Sequence, residues 1–322
     1  MNQDIYVVIE HLRGQAADIS YIMLGGARAL AQKTGGEVVA VLLGHNVQSL
    51  VNNMSADKVL VVDHPALAEF TSDAYQKTLA GLIAEKEPRA VLFASSSIGA
   101  DLSGVLSARL NLPLISSCQR FSADGRPISQ ICGGKIMVES DLPEVTTLLT
   151  MIPGGYKPEE GQSGKTPEII KMDAPALDDL RVTLKQYIEA EAGDVDISKE
   201  PILVSVGRGI QTQDNLELAE ELAKALGGVV SASRPVVDQG WMPTSRLVGK
   251  SGKTVKPKVY LTLGISGAPE HAEAIMGSEM IIAINTDPAA PIFDIARYGA
   301  VIDMFDLFEV LIAKVKETQG IR

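Results

Sequence analysis

The chain has 322 residues, 46% of them hydrophobic and 21% charged, which is globular composition and excludes a disordered chain. Asp and Glu outnumber Lys and Arg by 40 to 29, and the resulting charge of −11 disfavours nucleic acid or an anionic membrane as a general partner. No apolar run approaches the ~18 residues that span a bilayer. Cys118 and Cys132 are too few for a disulfide framework, and His11, His45, His64 and His271 are scattered without metal-ligand spacing. Met1-Asn2-Gln3-Asp4 leads straight into an apolar strand and lacks the features of a signal or transit peptide. The expectation is a cytoplasmic protein of bacterial or archaeal type with about two domains; a processed mitochondrial-matrix chain would look the same.

The first half alternates apolar runs with helical segments. Ile5 to Glu10 reads as a strand, Tyr21 to Lys33 as a helix stopped by Gly35-Gly36, and Glu37 to Leu43 and Lys58 to Val62 as further strands. Thr71 to Lys86 is a helix ended by Pro88, Ala90 to Ala94 a strand, and Asp101 to Leu110 another helix. Unbroken apolar strands between helices predict a parallel sheet covered on both faces. The loop Ser95-Ser96-Ser97-Ile98-Gly99 has two readings: a phosphate-holding turn, or only a tight turn with a helix cap. After Pro113 the runs Leu114 to Phe121, Pro127 to Ile131, Lys135 to Glu139 and Val145 to Met151 predict an antiparallel extension, with a hairpin-type turn at Asp124-Gly125. Glu168 to Met172 reads as a last strand and Arg181 to Ile188 as an apolar stretch of a connection. The boundary near Gly193 divides the chain into 1–192 and 193–322.

The second half opens with Ile202 to Val206, a strand that enters Gly207-Arg208-Gly209 and then a helix from Asp214 to Leu226, with Asp214 and Glu217 placed as a capping box. Gly-x-Gly fits a dinucleotide fingerprint, but Thr212 stands where the third glycine belongs, so the motif alone is weak. Further strands, Val229 to Ala232, Val259 to Leu263, Met280 to Ile284 and Ala300 to Ile302, each end in small or polar residues. The loop Val248-Gly249-Lys250-Ser251-Gly252-Lys253 lacks the spacing of a Walker A motif. In a doubly wound sheet these strand ends share one edge and line one crevice.

The ordered series Gly207-Arg208-Gly209, Ala232-Ser233-Arg234, Val237 to Trp241, Val248 to Lys253, Tyr260 to Gly267 with His271, Ala283-Ile284-Asn285 and Asp287 to Phe293 resembles the α subunit of electron transfer flavoproteins. The match runs through the second domain and is looser in the first. It implies an α/β protein of two domains: a nucleotide-binding-like domain that meets a β subunit and holds no cofactor itself, and a doubly wound FAD-binding domain. It further implies a heterodimer whose β subunit holds AMP or, in bifurcating relatives, a second FAD. Such a protein carries electrons rather than remaking substrate bonds, from dehydrogenases of the acyl-CoA type in fatty acid oxidation to a quinone reductase.

The residue roles follow from that resemblance. Arg208 would neutralise the FAD pyrophosphate, with Ser233 at the phosphate-ribityl region, and Asn285 and Asp303 at adenosine or ribityl groups. Ser266, Gly267 and Ala268 would present backbone amides. Arg234 would lie over or beside the isoalloxazine, Ser251 would offer its hydroxyl to N5, and His271 would donate to the O2/N1 edge, where negative charge grows on reduction. Val248, Gly249, Lys250, Pro269, Glu270 and Met304 complete the implied contacts. Pro269-Glu270 stands where the family has Ile-Gln, and Lys250-Ser251 where it has Gln-Thr, so Lys250 is expected to offset Glu270 partly. An NAD(P)-dependent dehydrogenase and a nucleotide-binding scaffold are the alternatives from other classes.

Overall fold

Strands buried on both faces need apolar side chains at every position, and such runs organise the whole molecule. The computed structural model describes residues 2–12, 14–132, 136–187, 195–249 and 251–318. It divides into two compact units: the first takes the described residues up to Ile131 and from 136 to Tyr187, and the second takes Cys132 and the described residues from 195 onward. The boundary expected at 192–193 lies outside the described residues.

The first unit contains β1 (Ile5–Val8), β2 (His11–Leu12), β3 (Gln15–Ala16), α1 (Asp18–Thr34), β4 (Val38–Gly44), β5 (Lys58–Asp63), α2 (Ser72–Lys86) and β6 (Ala90–Ala94). It continues with α3 (Ser97–Leu110), β7 (Leu114–Phe121), β8 (Pro127–Ile131), β9 (Ile136–Glu139), β10 (Thr147–Met151) and β11 (Glu168–Met172). Nine strands make one sheet in the order β11-β5-β4-β1-β6-β10-β7-β8-β9. Ile5 and Val7 face one apolar layer with Met23, Leu24 and Leu30 of α1; Tyr6 and Val8 face the other, with Leu79 of α2 and Leu102 of α3. Gly35 ends α1 in the left-handed conformation at φ 76°.

The antiparallel extension is smaller than the sequence predicts. Within the nine-stranded sheet the described antiparallel pairs are β7–β8 and β8–β9. The Val145 to Met151 segment becomes β10, inserted parallel between β6 and β7. Its five residues are all buried, as a central strand requires, and that is the physical reason it leaves the hairpin region. The short hairpin of β2 and β3, absent from the sequence reading, follows β1. Residues 181–187 form no strand, and Ile188 lies outside the described residues.

The second unit contains β12 (Ile202–Val206), α4 (Leu216–Leu226), β13 (Val229–Ala232), α5 (Arg234–Asp238), β14 (Val259–Leu263), α6 (Pro269–Ile275), β15 (Ile281–Asn285), β16 (Tyr298–Val301) and α7 (Met304–Thr318). All five strands are parallel, in the order β13-β12-β14-β15-β16. Val204 and Val206 pack with α4 and α7 on one face, and Leu203 and Tyr260 with α6 on the other. The helix after β12 starts later than expected: Asn215 is its N-cap, without a side-chain cap bond, so the Asp214–Glu217 capping box is not formed. The fold is thus mixed α/β, dominated by parallel sheet.

Candidate functional site

From β12 the chain moves outward to β13 on one side and then crosses to β14 on the other. Such a reversal opens a crevice at the carboxyl ends of the two central strands. The loops that leave β12 and β14 touch there. Gly207 donates its N–H to Leu263 O at 2.8 Å, and a Cβ on Gly207 would stand 2.2 Å from Gly264 O. These glycines therefore serve first to let two backbones meet.

Above this contact lies a cleft of about 690 Å³, within the ~300–1,000 Å³ usual for cofactor sites. Arg208, Ser233, Arg234, Val248, Gly249, Ser251, Ser266, Ala268, Glu270, His271 and Asn285 of the expected residues line it. Arg208 is exposed and its side chain makes no hydrogen bond or ion pair among the described residues, so its guanidinium is available to an anion. Ser233 caps α5 only by position, without a side-chain cap bond, and is buried. Arg234 is held on two sides: Nε donates to Asp238 Oδ1 at 2.9 Å, and Nη1 to Ser251 Oγ at 2.9 Å. The Ser251 oxygen is thereby an acceptor inside the protein, and its own proton remains to be given. Asn285 braces two loops, donating to Ile265 O at 2.9 Å and accepting from Asp287 N at 3.0 Å.

The loop carrying Gly249 and Ser251 is tied down at its far end. Lys253 Nζ donates to Asp196 Oδ1 at 2.7 Å, and that bond holds the Asp196 carboxyl well below the usual carboxylate range. Asp196 precedes Ile197, which is fully buried in the core beside Val248 and Val255.

Four expected contacts do not line the cleft. Gly267, at φ 86°, is pressed from behind, and a Cβ there would stand 2.4 Å from Ile292 N. Pro269 takes the first helical turn of α6. Asp303 turns its carboxylate to the Phe305 N–H at 3.1 Å and so caps α7. Met304 is buried beneath the cleft, with its Cε 3.0 Å from where a Cβ of Gly209 would be. Lys250 lies outside the described residues, and its pairing with Glu270 is not addressed.

His271 differs from expectation in its bonding. It is 6% exposed, and both ring nitrogens meet protein: Nδ1 lies 3.1 Å from Val248 O and Nε2 3.0 Å from Tyr260 Oη. A ring buried this far must satisfy both nitrogens locally, so no N–H is left over to aim into the cleft. Burial also pushes the imidazole down to about 4, against the opposing pull of the Val248 carbonyl. The sequence reading missed Tyr260 in this role, along with the lining residues Ile265, Asp287 and Ala290. The available signal was an aromatic hydroxyl on one apolar strand and a serine within another, which pair in the sheet as β14 and β12.

A parallel sheet with a glycine-built cleft at its switch point, carrying an exposed arginine, defines a nucleotide-cofactor-binding α/β protein. Residues 5–177 match the electron transfer flavoprotein domain, and residues 196–276 the electron transfer flavoprotein FAD-binding domain. The chain is 36% identical over 324 residues to the electron transfer flavoprotein subunit alpha of Thermoanaerobacterium thermosaccharolyticum, covering 98% of each. It is 32% identical to the subunit alpha of Bacillus subtilis, again over 98% of both chains. It is 34% identical to a protein of Anaerotignum propionicum named acryloyl-CoA reductase electron transfer subunit beta, covering 98% of this chain and 96% of that one. The chain belongs to the electron transfer flavoprotein α-subunit family, as an electron-transfer subunit with a flavin-binding domain.

The cleft suits such a group on its own terms. Its floor is a cradle that a single Cβ at Gly207 or Gly264 would fill, and it offers one unpartnered guanidinium and a hydroxyl with a free proton. Among the described residues no cluster of His, Cys, Asp and Glu could hold a metal ion, and no helix is long and apolar enough to cross a membrane.

Proposed function

We propose that the cleft of the second unit holds FAD, with Arg208 on the pyrophosphate, Ser233 and Asn285 along the ribityl and ribose groups, and Ser251 and Arg234 beside the ring nitrogen N5. When bound, the flavin supplies one-electron redox chemistry. The protein's own groups do the rest. Arg208 offsets the phosphate charge through charge-assisted hydrogen bonds of roughly 1.5–3 kcal/mol each. Arg234, already donating to Ser251 Oγ, polarises that hydroxyl so that it is the stronger donor toward N5. Asp238 keeps the guanidinium in place. Donors fixed before the electron arrives need little reorganisation when charge develops, which favours fast transfer in both directions.

The observation that carries this reading is Arg208, exposed between the two glycines at the switch point, with no partner for its guanidinium among the described residues. The chain works as a carrier rather than a bond-making catalyst. It pairs with a β subunit of the same family, which holds AMP or a second FAD. Its electrons come from flavin dehydrogenases that act on acyl-CoA thioesters and pass to a quinone reductase or similar acceptor. The name of the Anaerotignum relative, which couples electron transfer to acryloyl-CoA reductase, supports a CoA-thioester dehydrogenase as redox partner.

The test is co-expression with the β subunit, followed by a visible spectrum and stepwise reduction. One FAD per complex, lost or weakened in Arg208→Ala, is the expected outcome. Two flavins, one at much lower potential, would place the chain with electron-bifurcating proteins. An intact complex without flavin would overturn the reading.

A further inference from the structure

Behind His271, on the sheet face that packs against α6, lies a row of hydroxyls where an aliphatic core would be expected. Tyr260 is fully buried, and its Oη lies 2.7 Å from Ser205 Oγ as well as 3.0 Å from His271 Nε2. Ser205 sits in register between Ser231 on β13 and Thr262 on β14, and all three are fully buried. The Ser231 hydroxyl comes near Tyr260 without closing a normal hydrogen bond, and Thr262 Oγ1 has no partner among the described residues. Three buried hydroxyls side by side are costly unless they serve a purpose.

A phenol has one proton, and it lies between two acceptors. Val248 O can only accept, so His271 Nδ1 carries a proton in every state. When the ring is neutral, Nε2 is bare. Tyr260 must then donate to Nε2, and Ser205 donates to Tyr260. When Nε2 is protonated, it donates to Tyr260 Oη, Tyr260 turns its proton to Ser205 Oγ, and the Ser205 proton swings toward Ser231. Either arrangement keeps every bond of the chain His271–Tyr260–Ser205. Burial raises the Tyr260 phenol far above its ordinary value, so the group relays direction without ionising itself.

We infer that Tyr260, backed by Ser205 and Ser231, is a reversible hydroxyl relay that holds His271 neutral in one tautomer at rest and lets it take a proton when negative charge enters the cleft. Tyr260 and Ser205 are positioning residues, since neither lines the cleft. This inference rests on the flavin reading of the site. The step balances in charge: one electron enters the cleft from the redox partner, one proton is taken up from solvent and comes to rest on His271 Nε2, and the net charge of the cleft is unchanged. No covalent bond between heavy atoms forms or breaks.

The charged groups around the imidazole do not perform this task themselves. On its own helix stand Glu270 and Glu273, and across the cleft Arg208, Arg234 and Asp287. Arg234 is paired with Asp238, and Lys253 of the adjoining loop with Asp196. The strands β12, β13 and β14 present only neutral hydroxyls to this side of the ring.

The experiment uses the complete complex with its β subunit, labelled with ¹⁵N-histidine. Long-range ¹H–¹⁵N spectra are recorded oxidised and after anaerobic reduction, with flavin content read from the same tube. The chain has four histidines, and His271→Asn identifies the signal of interest. The expected oxidised state has Nδ1 protonated and Nε2 bare; on reduction at neutral pH, Nε2 moves to the protonated range. Ser205→Ala should keep the oxidised pattern and suppress protonation on reduction at least tenfold, which lowers the one-electron potential by about 59 mV or more. Tyr260→Phe should keep Nδ1 protonated, since Val248 O still only accepts, but leave Nε2 with no hydroxyl partner, so that its oxidised signal shifts toward an unbonded bare nitrogen and its protonation on reduction is lost. A resting Nε2–H tautomer, or His271 signals that do not change on reduction of a flavin-loaded complex, would overturn the relay alone. An intact complex that binds no flavin would overturn the cofactor reading and the relay with it.

Discussion

Each unit has a wholly or mainly parallel sheet whose strand order reverses beside its first strand, yet the two switch points are finished with opposite charge. In the first unit, Glu10 follows β1 and Ser96 follows β6, and Ser96 Oγ donates to Glu10 Oε1 at 2.6 Å. Ser96 also caps α3, accepting from Gly99 N at 3.0 Å, so the helix cap of the sequence reading is formed. Burial raises the Glu10 carboxyl, opposed by its bonds to Ser96 and the Gly99 backbone. In the second unit, the matching position after β12 is Gly207-Arg208-Gly209, with the guanidinium unpartnered. The same architecture thus presents an internal acid against a helix N-terminus in one case and an open cation in the other. Fold places the crevice; a few loop side chains decide whether an external anion is welcome.

The largest expected effect comes from the glycine floor. Gly207→Ala would drive a Cβ to 2.2 Å from a backbone oxygen and should cost about 3 kcal/mol or more and empty the cleft. Gly99→Ala meets an equally close carbonyl, that of Ala94 at 2.0 Å, but should lower stability while leaving flavin content per folded complex unchanged. Thermal unfolding and flavin absorbance, measured together, separate the two. Next comes charge. Arg208→Glu gives the second crevice the charge of the first and should weaken FAD binding roughly 100-fold, read by fluorescence titration of the apo-complex.

A smaller effect is expected in the first unit. The Glu10 carboxyl is raised on folding, so its stabilising contribution is complete below the ordinary Glu value and is lost as pH rises through the folded value. Glu10→Gln should remove this dependence and shift neutral-pH stability by roughly 1 kcal/mol, seen in urea midpoints between pH 4 and 8. The smallest is Asp196→Asn. The Asp196–Lys253 pair is half exposed, so its loss should cost well under ~1 kcal/mol. Because the Asp196 carboxyl is lowered, that contribution is present above the ordinary Asp value and fades as pH falls. Flavin release should quicken more than stability drops, since the pair anchors the Ser251 loop; unchanged release would show the anchor to be idle.

Much of the architecture was readable because buried parallel strands announce themselves as unbroken apolar runs. Ala90–Ala94, Ile202–Val206, Val229–Ala232 and Val259–Leu263 fall where the pattern puts them. Strand order was not readable. Thr147–Met151 looks the same whether it closes a hairpin or enters mid-sheet, because an apolar run does not specify its neighbours. The glycine and arginine loops of the cleft were visible as a series. The bonding of His271 was not, because Tyr260 and Ser205 reach it through sheet register, across 11 and 66 intervening sequence steps respectively (271 − 260 and 271 − 205). Asp303 and Met304 lie at the end of the sheet's last strand and were expected to touch the cofactor. Their contacts within the protein, a cap and a prop, depend on the helix that follows them.

That prop bears on how a minimal flavin module could be cut. The match to the family's FAD-binding domain ends at residue 276, yet the glycine floor rests on Met304, the first residue of α7, and α7 stays seated through Phe308 and Ile312 in the core. A fragment trimmed to the matched segment would keep the loops that face the ligand and lose the helix that supports them from below. The smallest excisable piece therefore runs through β15, β16 and α7 to Thr318, and the last helix acts as the keystone beneath the site.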